Sequence, residues 1–68
     1  MLNVTKLSSV IKQRGLTISA LANSVGVNRT TFYRKLKSGG ENFLLWEIES
    51  IIKHLGLTRH EAVEIFFS

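Results

Sequence analysis

The sequence predicts an all-α protein, a compact bundle of five short helices, on three observations. No proline occurs among the 68 residues, so every backbone amide can donate a helical hydrogen bond. Apolar residues recur at intervals of three and four, the spacing that lines one face of an α-helix. Glycines and side-chain-capping residues interrupt that spacing repeatedly, and no period-two alternation competes with it.

The first helix is expected from about Val4 to Arg14. Asn3 supplies its cap, Val4, Leu7 and Ile11 line one face, and Gly15 ends it. The second is expected over Ile18 to Val25, with Thr17 as N-cap and Leu21, Ala22 and Val25 as its buried stripe. Gly26 stops it, and Asn28 caps a third over Arg29 to Lys37, where Phe32 and Leu36 point one way. Ser38-Gly39-Gly40 breaks that helix. A fourth is expected from about Leu44 to Leu55, with Leu44, Ile48, Ile51, Ile52 and Leu55 as a wide apolar stripe ended by Gly56. The fifth opens at Thr58-Arg59-His60-Glu61, a capping box in which hydroxyl and carboxylate satisfy each other's free amides, and runs on through Ala62, Ile65 and Phe66.

A chain this short is one domain with a modest core. It contains no cysteine, which removes disulfides and thiolate metal sites and suits a reducing compartment. Residues 1–14 lack the apolar run of a signal peptide, and no stretch is apolar for long enough to span a bilayer. The expectation is a soluble cytoplasmic protein with no membrane partner.

The placement of charge says more than the net +4. From Met1 to Lys37 there are seven cations (Lys6, Lys12, Arg14, Arg29, Arg34, Lys35, Lys37) and no acid, a local charge of +7. From Ser38 onward Glu41, Glu47, Glu49, Glu61 and Glu64 stand against Lys53 and Arg59, a local charge of −3. Such asymmetry suits a polyanion-facing half, although a merely solvated basic face has the same composition.

Catalytic and metal chemistry find little support. His54 and His60 have no third ligand at useful spacing. Ser8, Ser9 and Ser19 have no histidine–carboxylate partner suggested by spacing, and Glu47 and Glu49 fall on different helix faces. There is no glycine-rich phosphate loop. Neither an enzyme, nor a metal, cofactor or small-molecule ligand is expected.

The informative stretch is Thr17 to Lys37, two short helices joined by a tight turn containing glycine, which is the helix-turn-helix arrangement. Its core is Leu21, Ala22, Val25, Gly26, Val27, Phe32 and Leu36. Ala22 is small where the third helix crosses the second. Gly26 suits a positive φ, Val27 plugs the turn, and Phe32 anchors the third helix. The face left open on that helix carries Arg29, Thr30, Tyr33, Arg34 and Lys37.

Leu21-Ala22, Gly26-Val27 four residues on, and Phe32 six residues after that glycine resemble the lambda-repressor-like helix-turn-helix family, which includes the Cro and repressor proteins of bacteriophages. The segment Thr31-Phe32-Tyr33-Arg34-Lys35-Leu36 with Gly39-Gly40 is similar to a phage-encoded Cro-like branch. The resemblance covers essentially the whole chain, with two departures: Lys35 stands where the family commonly has an apolar residue, and Leu44 where a capping hydroxyl is usual. It implies a transcriptional regulator of a bacterial host that reads double-stranded operator DNA in the major groove. By position, it makes Arg29, Thr30 and Arg34 the base readers, with Arg29 bidentate to guanine and Thr30 against a thymine methyl. Thr17, Asn28, Thr31, Tyr33 and Lys37 become phosphate contacts, with the loop amides from Gly40 to Asn42 as a further phosphate site. Tyr33 has an alternative, partial packing on Phe43.

Trp46 lies off the main apolar stripe, and Phe66 and Phe67 are adjacent rings that cannot both enter one small core. Trp46, Ile65, Phe66 and Phe67 are therefore expected as a protein contact, for a homodimer or a partner regulator. The rival reading is an antirepressor module on the same scaffold that captures another regulator through those residues.

Overall fold

In the computed structural model, which describes residues 2–67, side-chain caps and glycines set the boundaries of five helices: α1 (Val4–Gln13), α2 (Ile18–Val25), α3 (Arg29–Lys37), α4 (Leu45–Leu55) and α5 (Arg59–Phe66). The Asn3 side-chain oxygen accepts the Lys6 amide at 3.0 Å, Thr17 Oγ1 that of Ala20 at 3.0 Å, and Asn28 Oδ1 that of Thr30 at 2.8 Å. At α5 the expected box is complete: Thr58 Oγ1 accepts the Glu61 amide at 3.1 Å and Glu61 Oε1 accepts the Thr58 amide at 2.9 Å. Leu44 has no side-chain acceptor to cap α4, so Glu47 makes half a box alone, Oε1 accepting the Leu44 amide at 2.8 Å. No strand occurs among the described residues, and no helix is long and apolar enough to cross a membrane.

α2 lies centrally, packed against α1, α3 and α4, and α5 closes the bundle against α1. Leu7, Leu21, Phe32, Ile51 and Ile65 are the buried centre, with Val10, Ile11, Ala22, Val25, Leu36, Leu55 and Phe66 around them. Burying Phe32 alone contributes about 1.5–3 kcal/mol, a large share of a small domain's stability.

Four details differ from the expectation. Val4 is exposed, because α1 buries Leu7, Val10 and Ile11 and Val4 stands at the edge of that stripe. Leu44 is exposed at the N-cap, and α4 starts one residue later than expected. α1 ends at Gln13, and Arg14 instead donates from Nε to the carbonyl of Leu55 at 3.1 Å, satisfying a free acceptor at the end of α4. Leu2 and Phe43, outside every helix, belong to the core. Leu2 donates its amide to Gly39 and covers Gly40, while Asn3 donates to the Ile65 carbonyl at 2.6 Å.

Two glycines carry distinct constraints. Gly26 has φ +87° with open space around the missing Cβ, so alanine there costs about 1–2 kcal/mol through backbone strain alone. Gly40 has φ +79°, and a Cβ on it would stand 2.5 Å from Leu2 Cβ. Urea denaturation should show Gly40→Ala losing more stability than Gly26→Ala, and losing less when introduced beside Leu2→Gly, which removes the opposing Cβ; equal penalties in both backgrounds would mean the Leu2 contact is unimportant.

Glu61 is held below the ordinary glutamate range chiefly by the Thr58 amide it accepts; desolvation opposes this, and the Arg14 guanidinium 3.6 Å away adds to the lowering. A lowered folded pKa gives stability that is present above the unfolded value of about 4.3 and lost as pH falls through the folded value. Glu61→Gln keeps the capping geometry but cannot titrate. Between about pH 5 and pH 3 its melting temperature should fall less steeply than the parent's, and parallel curves would show that the pair contributes nothing.

Candidate functional site

The site is built on α3 by the turn that precedes it. Gly26 takes the left-handed conformation and passes its amide to the carbonyls of Ala22 and Asn23, while the Val27 amide also returns to Ala22. Val27 packs half-buried on the core, and Asn28 starts α3 at once. Phe32 and Leu36 are buried, one turn apart. Of the residues between them, Tyr33 and Arg34 are turned outward, while Lys35 is half-buried.

Arg29, Thr30, Tyr33, Arg34 and Lys37 line one open furrow of about 360 Å³. All five come from a single helix, so the furrow has one wall and encloses nothing. Arg29 and Arg34 are separated by about 8 Å along the helix axis. Tyr33 is 41% exposed, and the Phe43 ring meets Phe32 edge-on at 5.3 Å instead of Tyr33. Thr31 is half-buried at the edge of the face.

Pairing separates these cations from the others. Lys6 lies 3.8 Å from Glu64, Arg14 pairs with Glu61, and Lys35 binds both oxygens of Glu47 at 2.6 and 2.8 Å. His60 also reaches Glu64. Arg29, Arg34 and Lys37 contact no carboxylate among the described residues. The basic half seen in the sequence thus narrows to one helix face and Lys12. Arg34 and Lys37 sit in the last turn of α3, where the helix dipole favours a cation; Arg29 sits at the first position, where it does not.

The capping residues keep a donor free. Thr17 and Asn28 use side-chain oxygens to accept amides, which leaves the Thr17 hydroxyl hydrogen and the Asn28 amide group as donors at the starts of α2 and α3. The loop differs from the expectation. The Gly40 amide is spent on the Lys35 carbonyl at 3.0 Å, where it closes the end of α3, and cannot also serve an anion. Asn42 is exposed on that loop.

The expected contact residues separate into two groups. Trp46 and Phe67 are exposed, 52% and 66%. Ile65 and Phe66 are core residues, because α5 turns them with Ala62 toward α1; their side chains are not part of a contact surface. Leu45 and Val63, which the periodicity did not single out, are exposed apolar residues of α4 and α5. The Lys35–Glu47 pair also escaped the sequence reading. Its signals were a cation among inward-facing residues of α3 and an acid three residues into the next helix.

No family model matches the chain, and neither curated proteins nor solved structures yield a significant match.

The two classes of cation should behave oppositely in urea denaturation. Arg29→Ala relieves an unfavourable dipole interaction and should be neutral or stabilising by about 0.3 kcal/mol. Glu47→Ala strands a largely buried ammonium and should cost about 3–5 kcal/mol. A substantial loss for Arg29→Ala would make Arg29 a structural residue.

Proposed function

We propose that the chain is a sequence-specific DNA-binding regulator that inserts α3 into the major groove as a helix-turn-helix, in the manner of the lambda-repressor-like and Cro-like proteins it resembles. The observation that carries this reading is the α3 face: Arg29, Arg34 and Lys37 are exposed there with no acid partner among the described residues, and Arg29 is kept where the helix dipole opposes it. A cation held against its own helix dipole, beside two others without an acid partner, suits an external polyanion. Arg29, Thr30 and Arg34 are the proposed base readers, with donors or a methyl suited to base edges. Lys37, Tyr33, Thr31 and the free donors of Thr17 and Asn28 are the proposed phosphate contacts, with Asn42 at the loop.

The longest dimension of the chain is 28 Å. Half-sites on one face of B-DNA lie about 34 Å apart, so one copy fills one half-site and a paired operator calls for two. Exposed Trp46 and Phe67 are the residues proposed to meet a second copy. The same exposure supports a second reading, an antirepressor that captures another regulator; DNA shifted only when that regulator is present would favour it.

Selection from a random duplex library, with isotherms at about 50 and 200 mM salt, tests the proposal. An enriched sequence and a steep fall in affinity with salt are expected; no enrichment and a flat response would overturn it. On the selected duplex, Arg34→Ala should cost about 1–3 kcal/mol. Lys37→Ala should weaken selected and unrelated duplexes alike and lower the salt slope by about 1.

A further inference from the structure

We infer that the buried Lys35–Glu47 ion pair is a positioning device that fixes how α3 is rolled about its own axis, and so where Arg29, Thr30 and Arg34 point. The inference deepens the DNA-binding reading and rests on it for its functional meaning, but its structural core can be tested without DNA.

Glu47 is 3% exposed, the one buried charged side chain among the described residues, and Lys35 is 17% exposed at its side chain. The ammonium lies 2.6 and 2.8 Å from the two carboxylate oxygens, and Oε1 also accepts the Leu44 amide at 2.8 Å. One carboxylate therefore joins α3, the segment before α4 and the first turn of α4. The Lys35 ammonium also stands 5.8 Å from the centre of the Phe43 ring, whose edge-on partner is Phe32.

A buried ion pair is a poor means to stability, since apolar side chains of similar volume often do as well or better. What it supplies is direction. Phe32 and Leu36 seat α3 at a given depth, but dispersion and apolar burial are non-directional and permit a helix to roll. Lys35 projects about 100° around the helix from Leu36. A charge-assisted bond from that side, to an acceptor itself fixed by a backbone amide, resists rolling. A roll would move the arginines while leaving the core filled.

The test uses two variants. Lys35→Met with Glu47→Leu should stay folded by circular dichroism. Its residual dipolar couplings for α3 amides, referenced to α1 and α2, should no longer fit the parent orientation. Affinity for the selected duplex should fall about tenfold, the value of one good bidentate base contact, while affinity for poly(dI-dC) is retained. Glu47→Gln can still accept the Leu44 amide but releases the ammonium. It should lose selected-site affinity while gaining affinity for poly(dI-dC), with a salt slope steeper by about 1. A merely structural role would lower both affinities together. Unchanged α3 couplings with intact site preference in the double variant would overturn the inference. If that variant does not fold, Glu47→Gln decides through the opposed affinity changes. If the parent selects no duplex at all, the DNA-binding reading falls and the couplings alone decide the positioning role.

Discussion

The complete burial of Phe32 is the constraint from which the rest of the surface follows. α3 carries seven basic or hydroxyl-bearing residues against two buried ones, and is too polar to hold a place on the bundle by a broad apolar face. It is held by one ring, seated against α2 and Phe43, and by Leu36 a turn later. That ring reaches the core only because the chain reverses at Gly26 in three residues. With Phe32 inward, the helical repeat turns Tyr33, Arg34 and Lys37 to solvent, and Arg29, a turn before Phe32, is exposed because it stands at the very start of the helix.

The helices were legible because their boundaries are local chemistry. Asn3, Thr17, Asn28 and Thr58 each satisfy an amide within three residues, and Gly26 and Gly56 take the left-handed conformation that ends a helix. The outward face of α3 was legible for the same reason, since it is the complement of Phe32 and Leu36. What periodicity could not supply was anything joining residues distant along the chain. Phe43 and Leu2 lie in irregular segments with no repeat to mark them, yet both are buried. Ile65 and Phe66 could be placed on a helix but not oriented, because the adjacent rings of Phe66 and Phe67 offer two choices of buried face.

Charge shows the same division. A tally along the chain counts Lys6, Arg14 and Lys35 with the α3 cations, but in space each meets a glutamate from the second half. Glu61 and Glu64 on α5 neutralise α1, and Glu47 on α4 neutralises the inner edge of α3. The basic half and the acidic half are therefore largely folded onto each other. The residual positive field comes from fewer residues than the composition suggests, and is correspondingly sharper in direction.

The hydrogen bond from Asn3 to the Ile65 carbonyl, 2.6 Å long, makes the molecule a closed ring in which the first cap is completed by nearly the last turn. α1 packs against α5, a contact of higher sequence separation than that of α2 with α4. During synthesis, that closure has to wait until residue 65 has left the ribosome, so the earlier helices pass through an interval in which Leu7 and Ile11 lack their final cover.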